Sequence, residues 1–126
     1  MQWNASPSAG FTADGVPPWL PFGDNTSRNV AAQREDPGST LRLTRDLLAL
    51  RRTAFGGQVA GYERLPAPSG VWSYLSGPLL VTANFTAGPV PGPEGEVLLA
   101  TGSGAVSGAA LGPWQGMVTQ ASQGSS

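Results

Sequence analysis

Eight carboxylates and seven arginines are the only side chains in this 126-residue chain that carry charge at neutral pH; histidine is absent and so is cysteine. That inventory removes whole classes of chemistry. The chain cannot build a zinc site of the usual ligands, a haem axial site, a disulfide or a thiol nucleophile, and a Ser-His-Asp triad would lack its base. No metal and no cofactor is expected. Carboxylate chemistry remains open, because two acids about 5 Å apart, or about 6.5–9.5 Å apart, can hydrolyse glycosides. Glu94 and Glu96 are spaced to share one face of a strand. They lie in a Pro-Gly stretch without apolar neighbours that would favour a protonated acid, so both are expected to be solvated.

Other motifs give less. Gly102-Ser103-Gly104 with Gly108 has the outline of a dinucleotide fingerprint, but its third Gly comes one residue late and no helical pattern follows. Asn4, Asn25 and Asn84 each open an Asn-x-Ser/Thr triplet. Without a visible secretion signal these are read as chance occurrences, and Asn84 falls within a predicted buried strand. Trp72, alternating with Val71 and Tyr74, is expected to belong to a core. No catalytic site assembles from these residues.

Composition narrows the partners. All the basic residues are Arg, all lie between Arg28 and Arg64, and the net charge is −1. A phosphate-binding face needs more positive charge than that, so nucleic acid is excluded. No apolar run approaches the roughly 18 residues of a membrane span. Met1-Gln2-Trp3-Asn4 has no basic region followed by an apolar stretch. No membrane association is expected, and a cytoplasmic location is. With 18 Gly and 12 Pro the chain leans toward low complexity, yet 40% hydrophobic residues and four Trp point to a folded, loop-rich unit.

Three textures follow one another along the chain. Residues 1 to about 35 scatter Trp3, Phe11, Trp19, Leu20 and Phe22 with no helical or strand period, which predicts an irregular aromatic loop. Asp36 as N-cap, Pro37 in the first turn and Gly56-Gly57 as the stop predict one amphipathic helix. Its stripe is Leu43, Leu47, Leu50 and Ala54, widened by Leu48. From Gln58 the pattern turns to short strands: Val59–Leu65, Val71–Leu75, Leu79–Phe85, Glu96–Thr101 and Gly116–Gln120. Ser76-Gly77-Pro78 reads as a hairpin turn, the Gly88–Gly95 series as a loop, and Ser122–Ser126 as a solvated tail. A small antiparallel β-sandwich is expected, its Leu79-Leu80-Val81 run covered on both faces.

These residues resemble a known family in order along almost the whole chain. Met1-Gln2-Trp3-Asn4, Ala9-Gly10-Phe11-Thr12 and Pro18-Trp19-Leu20-Pro21 are similar to the segment after the last barrel strand in the α-glucosidases of glycoside hydrolase family 13, oligo-1,6-glucosidases among them. Asn29-Val30-Ala31-Ala32-Gln33, Asp36-Pro37 and Ser39 continue the pattern. Leu47-Leu48-Ala49-Leu50-Arg51 resembles the final barrel helix. Gly61-Tyr62 and the later strands resemble the C-terminal β-sandwich.

The resemblance implies residues 1–57 as the end of a (β/α)8 barrel and 58–126 as a C-terminal β domain. It implies retaining hydrolysis of α-glucosidic bonds by an Asp nucleophile and a Glu acid/base. Those residues belong to barrel strands ahead of the matched segment, and a barrel takes about 250 residues. A C-terminal fragment with a structural role, inactive alone, is therefore expected, meeting oligosaccharide only through that barrel and packing its apolar face on it. Trp3, Asn4 and Phe11 are the candidate barrel-rim residues. Asn4 stands where relatives often have Asp, and Thr44 where Tyr is common. The alternatives are a small carbohydrate-binding β module using Trp72 or Trp114, or an interaction protein whose aromatic loop binds a barrel supplied by another chain.

Overall fold

The computed structural model describes residues 1–102 and 110–121. The dinucleotide-like glycines beyond Gly102 and the Ser122–Ser126 tail lie outside the described residues. The chain divides into two compact units, Met1–Arg45 and Asp46–Ser126, parting inside the long helix.

In the first unit the chain makes turns up to Arg28 and then two helices, α1 (Val30–Glu35) and α2 (Thr40–Phe55), the second continuing into the other unit. Helix α1 is an addition to the single helix expected. It exists because its orphan N–H groups find partners. Those of Val30 and Ala31 donate to the Gln2 and Trp3 carbonyls, both at 3.0 Å, and that of Ala32 to Asn29 Oδ1 at 2.8 Å. Asp36 is a correction: it is the C-cap of α1 and not the N-cap of α2. Ser39 starts α2 instead. Its buried hydroxyl accepts the Arg42 N–H at 3.2 Å and donates to Gln33 O at 2.6 Å, so the chain turns helical only after it. No residue of α2 is buried, and Leu47 and Leu48 are exposed.

The second unit is built on a five-stranded antiparallel sheet. Its strands are β1 (Glu63–Leu65), β2 (Val71–Ser76), β3 (Leu79–Asn84), β5 (Val97–Ala100) and β7 (Gly116–Gln120). The order is β1-β2-β3-β7-β5, so β3 lies at the centre. Ser76 pairs with Leu79 across Gly77-Pro78, with Gly77 at φ 53°, and the expected hairpin forms at that turn. The strand expected from Val59 begins only at Glu63.

A two-stranded ribbon, β4 (Val90–Pro91) with β6 (Ala110–Leu111), was not legible; β4 interrupts the expected Pro-Gly loop. The β structure thus consists of one five-stranded sheet and this ribbon. Gly95, at φ 115°, lets the loop after β4 approach β7, because a Cβ there would collide with the Gln120 carbonyl oxygen. Of the Leu79-Leu80-Val81 run only Leu79 is fully buried.

Directly paired residues share a face. One face of β3 and β7 carries Leu79, Val81 and Val118; the other carries Thr82, Asn84, Met117 and Thr119, which are all buried. Polar groups on that second face are paired: Ser73 and Thr82 hydroxyls lie 3.1 Å apart, and Thr119 Oγ1 donates to Glu94 O at 3.4 Å. Asn84, 1% exposed, holds the centre. Its amide donates to Gly88 O and Gly112 O, both at 2.8 Å, while Oδ1 accepts the Thr86 N–H at 2.9 Å and the Thr86 hydroxyl at 2.7 Å.

Replacing Asn84 by Ala leaves several of these groups unpaired. We expect Asn84→Ala to lower unfolding stability by about 3 kcal/mol, read as a shift of the urea midpoint. A change within error would show that water replaces the carboxamide.

Candidate functional site

The three residues singled out at the start of the chain are fixed mainly through backbone. Trp3 N–H donates to Ala9 O at 2.9 Å, and its carbonyl serves α1. Asn4 Oδ1 accepts the Ser6 N–H at 3.0 Å, closing an Asx turn. The amide of Asn25 crosses to Ser6 O at 2.6 Å, and that of Asn29 to Asn25 O at 2.9 Å. The return at Ala9-Gly10 is left-handed at both residues, φ 52° and 77°. A Cβ on Gly10 would lie 2.9 Å from Trp3 Cβ, so this position requires glycine.

Phe11 packs on Phe22 with ring centroids 6.0 Å apart. Together with Met1, Gln2, Trp19 and Leu20 they line an open hollow of about 510 Å³. Trp3 and Asn4 are not in that lining, so the structure brings Phe11 to the hollow and leaves the other two candidates beside it. The walls are mostly apolar and include no carboxylate. Such a surface can receive apolar faces of a partner or a ligand, but it cannot supply an acid/base pair.

The acids elsewhere act locally. Glu94 and Glu96 are exposed on the loop between β4 and β5. Asp24 is held below the ordinary carboxylate value, first by the Ser27 hydroxyl, then by the Ser27 N–H and more weakly by that of Thr26. Among the described residues, no three His, Cys, Asp or Glu side chains gather where they could hold a metal ion.

A second aromatic group gathers Tyr62 and Tyr74 around Trp72, which the alternative reading of a carbohydrate-binding module names. Trp72, expected in the core, is 47% exposed on β2, which corrects that reading. Val81 and Ala83, opposite Tyr74 and Trp72 on β3, are too small to cover the rings. Tyr74 lies 5.6 Å from Trp72 and 5.1 Å from Tyr62, centroid to centroid, and the indole N–H donates to the Tyr62 hydroxyl at 3.2 Å. The alternation of Trp72 with Ser73 and of Tyr74 with Leu75 was the available signal; which face is covered was not in it.

No family model matches the chain. Among curated proteins it is 35% identical over 95 residues to the probable oligo-1,6-glucosidase 3 of Bacillus subtilis (strain 168), covering 71% of this chain. It is 43% identical over 53 residues to the oligo-1,6-glucosidase of Parageobacillus thermoglucosidasius, covering 41% of this chain. It spans 17% and 9% of the length of these two relatives. Among solved structures, a trehalulose synthase MutB mutant superposes with a TM-score of 0.77 at 29% identity, over 95% of this chain and 24% of that one. The isomaltulose synthase PalI of Klebsiella sp. LX3 superposes with a TM-score of 0.77 at 26% identity, over 94% and 24%.

The chain is an α-glucosidase-like member of glycoside hydrolase family 13.

Its five-stranded sheet corresponds to the β-rich C-terminal domain of that family. In this family member the Met-Gln-Trp-Asn and Asn-Val-Ala-Ala-Gln motifs are physically coupled, since the carbonyls of the first cap the helix of the second.

The depressed pKa of Asp24 means that its contribution to stability is full above the unfolded value, about 3.9, and is lost as pH falls through the lower folded value. We expect Ser27→Ala to move the Asp24 carboxyl titration, followed by NMR, back toward about 3.9. An unmoved midpoint would remove Ser27 as the cause.

Proposed function

We propose that the chain serves as the C-terminal portion of a retaining α-glucosidase acting on malto- or isomalto-oligosaccharides. Its role is structural, and the nucleophile and acid/base lie on a barrel outside these 126 residues. The observation that carries this reading is the 35% identity to an oligo-1,6-glucosidase of which the chain spans only 17%. The relatives' sugar chemistry supports the substrate class: one MutB structure comes from crystals soaked with trehalulose, and another holds isomaltulose.

In this reading residues 1–57 complete the barrel and 58–126 form the domain that follows it. Trp3, Asn4 and Phe11 stand at the barrel rim. The exposed Trp19, Leu47 and Leu48 support packing on the barrel, because apolar groups of this size gain by leaving water. No described helix is long and apolar enough to cross a membrane. A cytoplasmic location accompanies the proposal.

The purified chain is expected to show no turnover of p-nitrophenyl α-glucoside or maltose, and co-expression with the barrel of a relative is expected to restore it. Hydrolysis by the chain alone, persisting after host glucosidases are removed, would overturn the proposal.

A further inference from the structure

We propose that Tyr62, Trp72 and Tyr74 form a binding surface for a neutral oligosaccharide on the face of the β domain. The period of β2 sets Trp72 and Tyr74 on one face, and β1 brings Arg64 directly opposite Tyr74 on that face. Tyr62, just before β1, completes a run of three rings with interplanar angles of 37° and 44°. Two of the rings are openly presented: Trp72 is 47% exposed and Tyr62 60%.

The polar edges of the cluster are already arranged. The indole N–H is satisfied within the cluster by the Tyr62 oxygen, which fixes the ring and leaves the tyrosine proton free to donate outward. The exposed Arg64 guanidinium adds donors beside Tyr74. Glu63 is paired with Leu75 and therefore belongs to the opposite face, so no carboxylate from β1 joins the patch.

A sugar ring has the complementary chemistry. Its C–H faces stack on aromatic rings, and its hydroxyls at the rim accept from hydroxyl and guanidinium donors. Rings already locked against one another lose little freedom on binding. Tyr74 packs between the two exposed rings, 5.1 Å from Tyr62 and 5.6 Å from Trp72, and holds them in place. Trp114 is 68% exposed, but no other described ring stacks with it, which makes it the control.

Glucose polymers are chosen as probes because of the function proposed above, while the surface itself is independent of it. The full chain is run on native gels cast with glycogen and titrated with maltotriose, isomaltotriose, cellotriose and xylotriose. We expect retardation in glycogen and saturable binding of the α-linked trisaccharides. Trp72→Ala should weaken both about tenfold, whereas Trp114→Ala should leave them unchanged. Tyr62→Ala, outside every strand, gives the same answer if Trp72→Ala fails the circular-dichroism check of folding. Binding of the β-linked sugars alone would uphold the surface and count against the α-glucoside reading. No binding of any sugar by the folded chain, or equal binding by folded Trp72→Ala and Tyr62→Ala, would overturn the proposal.

Discussion

One buried carboxamide ties the β domain together. Asn84 ends the central strand, where the chain must leave the sheet without stranding polar groups in a site closed to water. Its two N–H groups and its oxygen reach the turn at Thr86, the carbonyl of Gly88 and the loop after β6. The carboxamide itself is buried, and each of its polar atoms left without a partner would cost about 1–3 kcal/mol. An aliphatic residue could fill the same volume but would leave those backbone groups unpaired. Among the described residues no buried side-chain nitrogen or oxygen lacks a partner. A domain whose inner face carries Ser73, Thr82 and Thr119 can remain folded only under that condition.

The first unit solves the same problem with less regular structure. Its turns carry few ladder bonds, so side chains take over: Asn4 closes a turn, Asn25 joins two segments, and Asn29 starts a helix. Two of the three Asn-x-Ser/Thr triplets share one turn geometry. At Asn4 and Asn84 the carboxamide oxygen accepts the N–H two residues on, and the hydroxyl residue at that position also favours turns. Asn25 is different, because its own amide bridges to Ser6 while the adjacent Asp24 closes the turn.

What was legible in the sequence follows from how local each signal is. Gly77-Pro78 between two β-rich runs fixed its hairpin, because a two-residue turn determines its own register. The Leu stripe and Gly56-Gly57 marked α2 and its end. Its start was misplaced: Asp36 and Ser39 are both good caps, and the choice depends on whether Gln33 lies in a helix of its own. Helix α1 depends on carbonyls some 28 residues away at Gln2 and Trp3, a partnership that no window of sequence contains. The ribbon β4–β6 was missed for the same reason, since each strand has two residues and its partner is distant. At the candidate site, Phe11 could be named, but its neighbour Phe22 and the lining Trp19 are set by the path of the turns.

Trp72 shows where periodicity stops being informative. Alternation says that Trp72 and Tyr74 share a face, and it says equally that Val71, Ser73 and Leu75 share the other. Aromatic bulk points to one face as the inner one and aliphatic Val71 and Leu75 to the other. The structure buries residues on both faces but leaves Trp72 out: on the other face the hydroxyls of Ser73, Thr82 and Thr119 and the carboxamide of Asn84 are paired, while the indole N–H is bonded to Tyr62 without cover. An indole whose N–H is bonded to a neighbouring tyrosine no longer needs a buried acceptor, and its remaining demand is for something flat and weakly polar against its face. The arrangement that frees Trp72 from the core is thus the one that makes it suitable for a ligand.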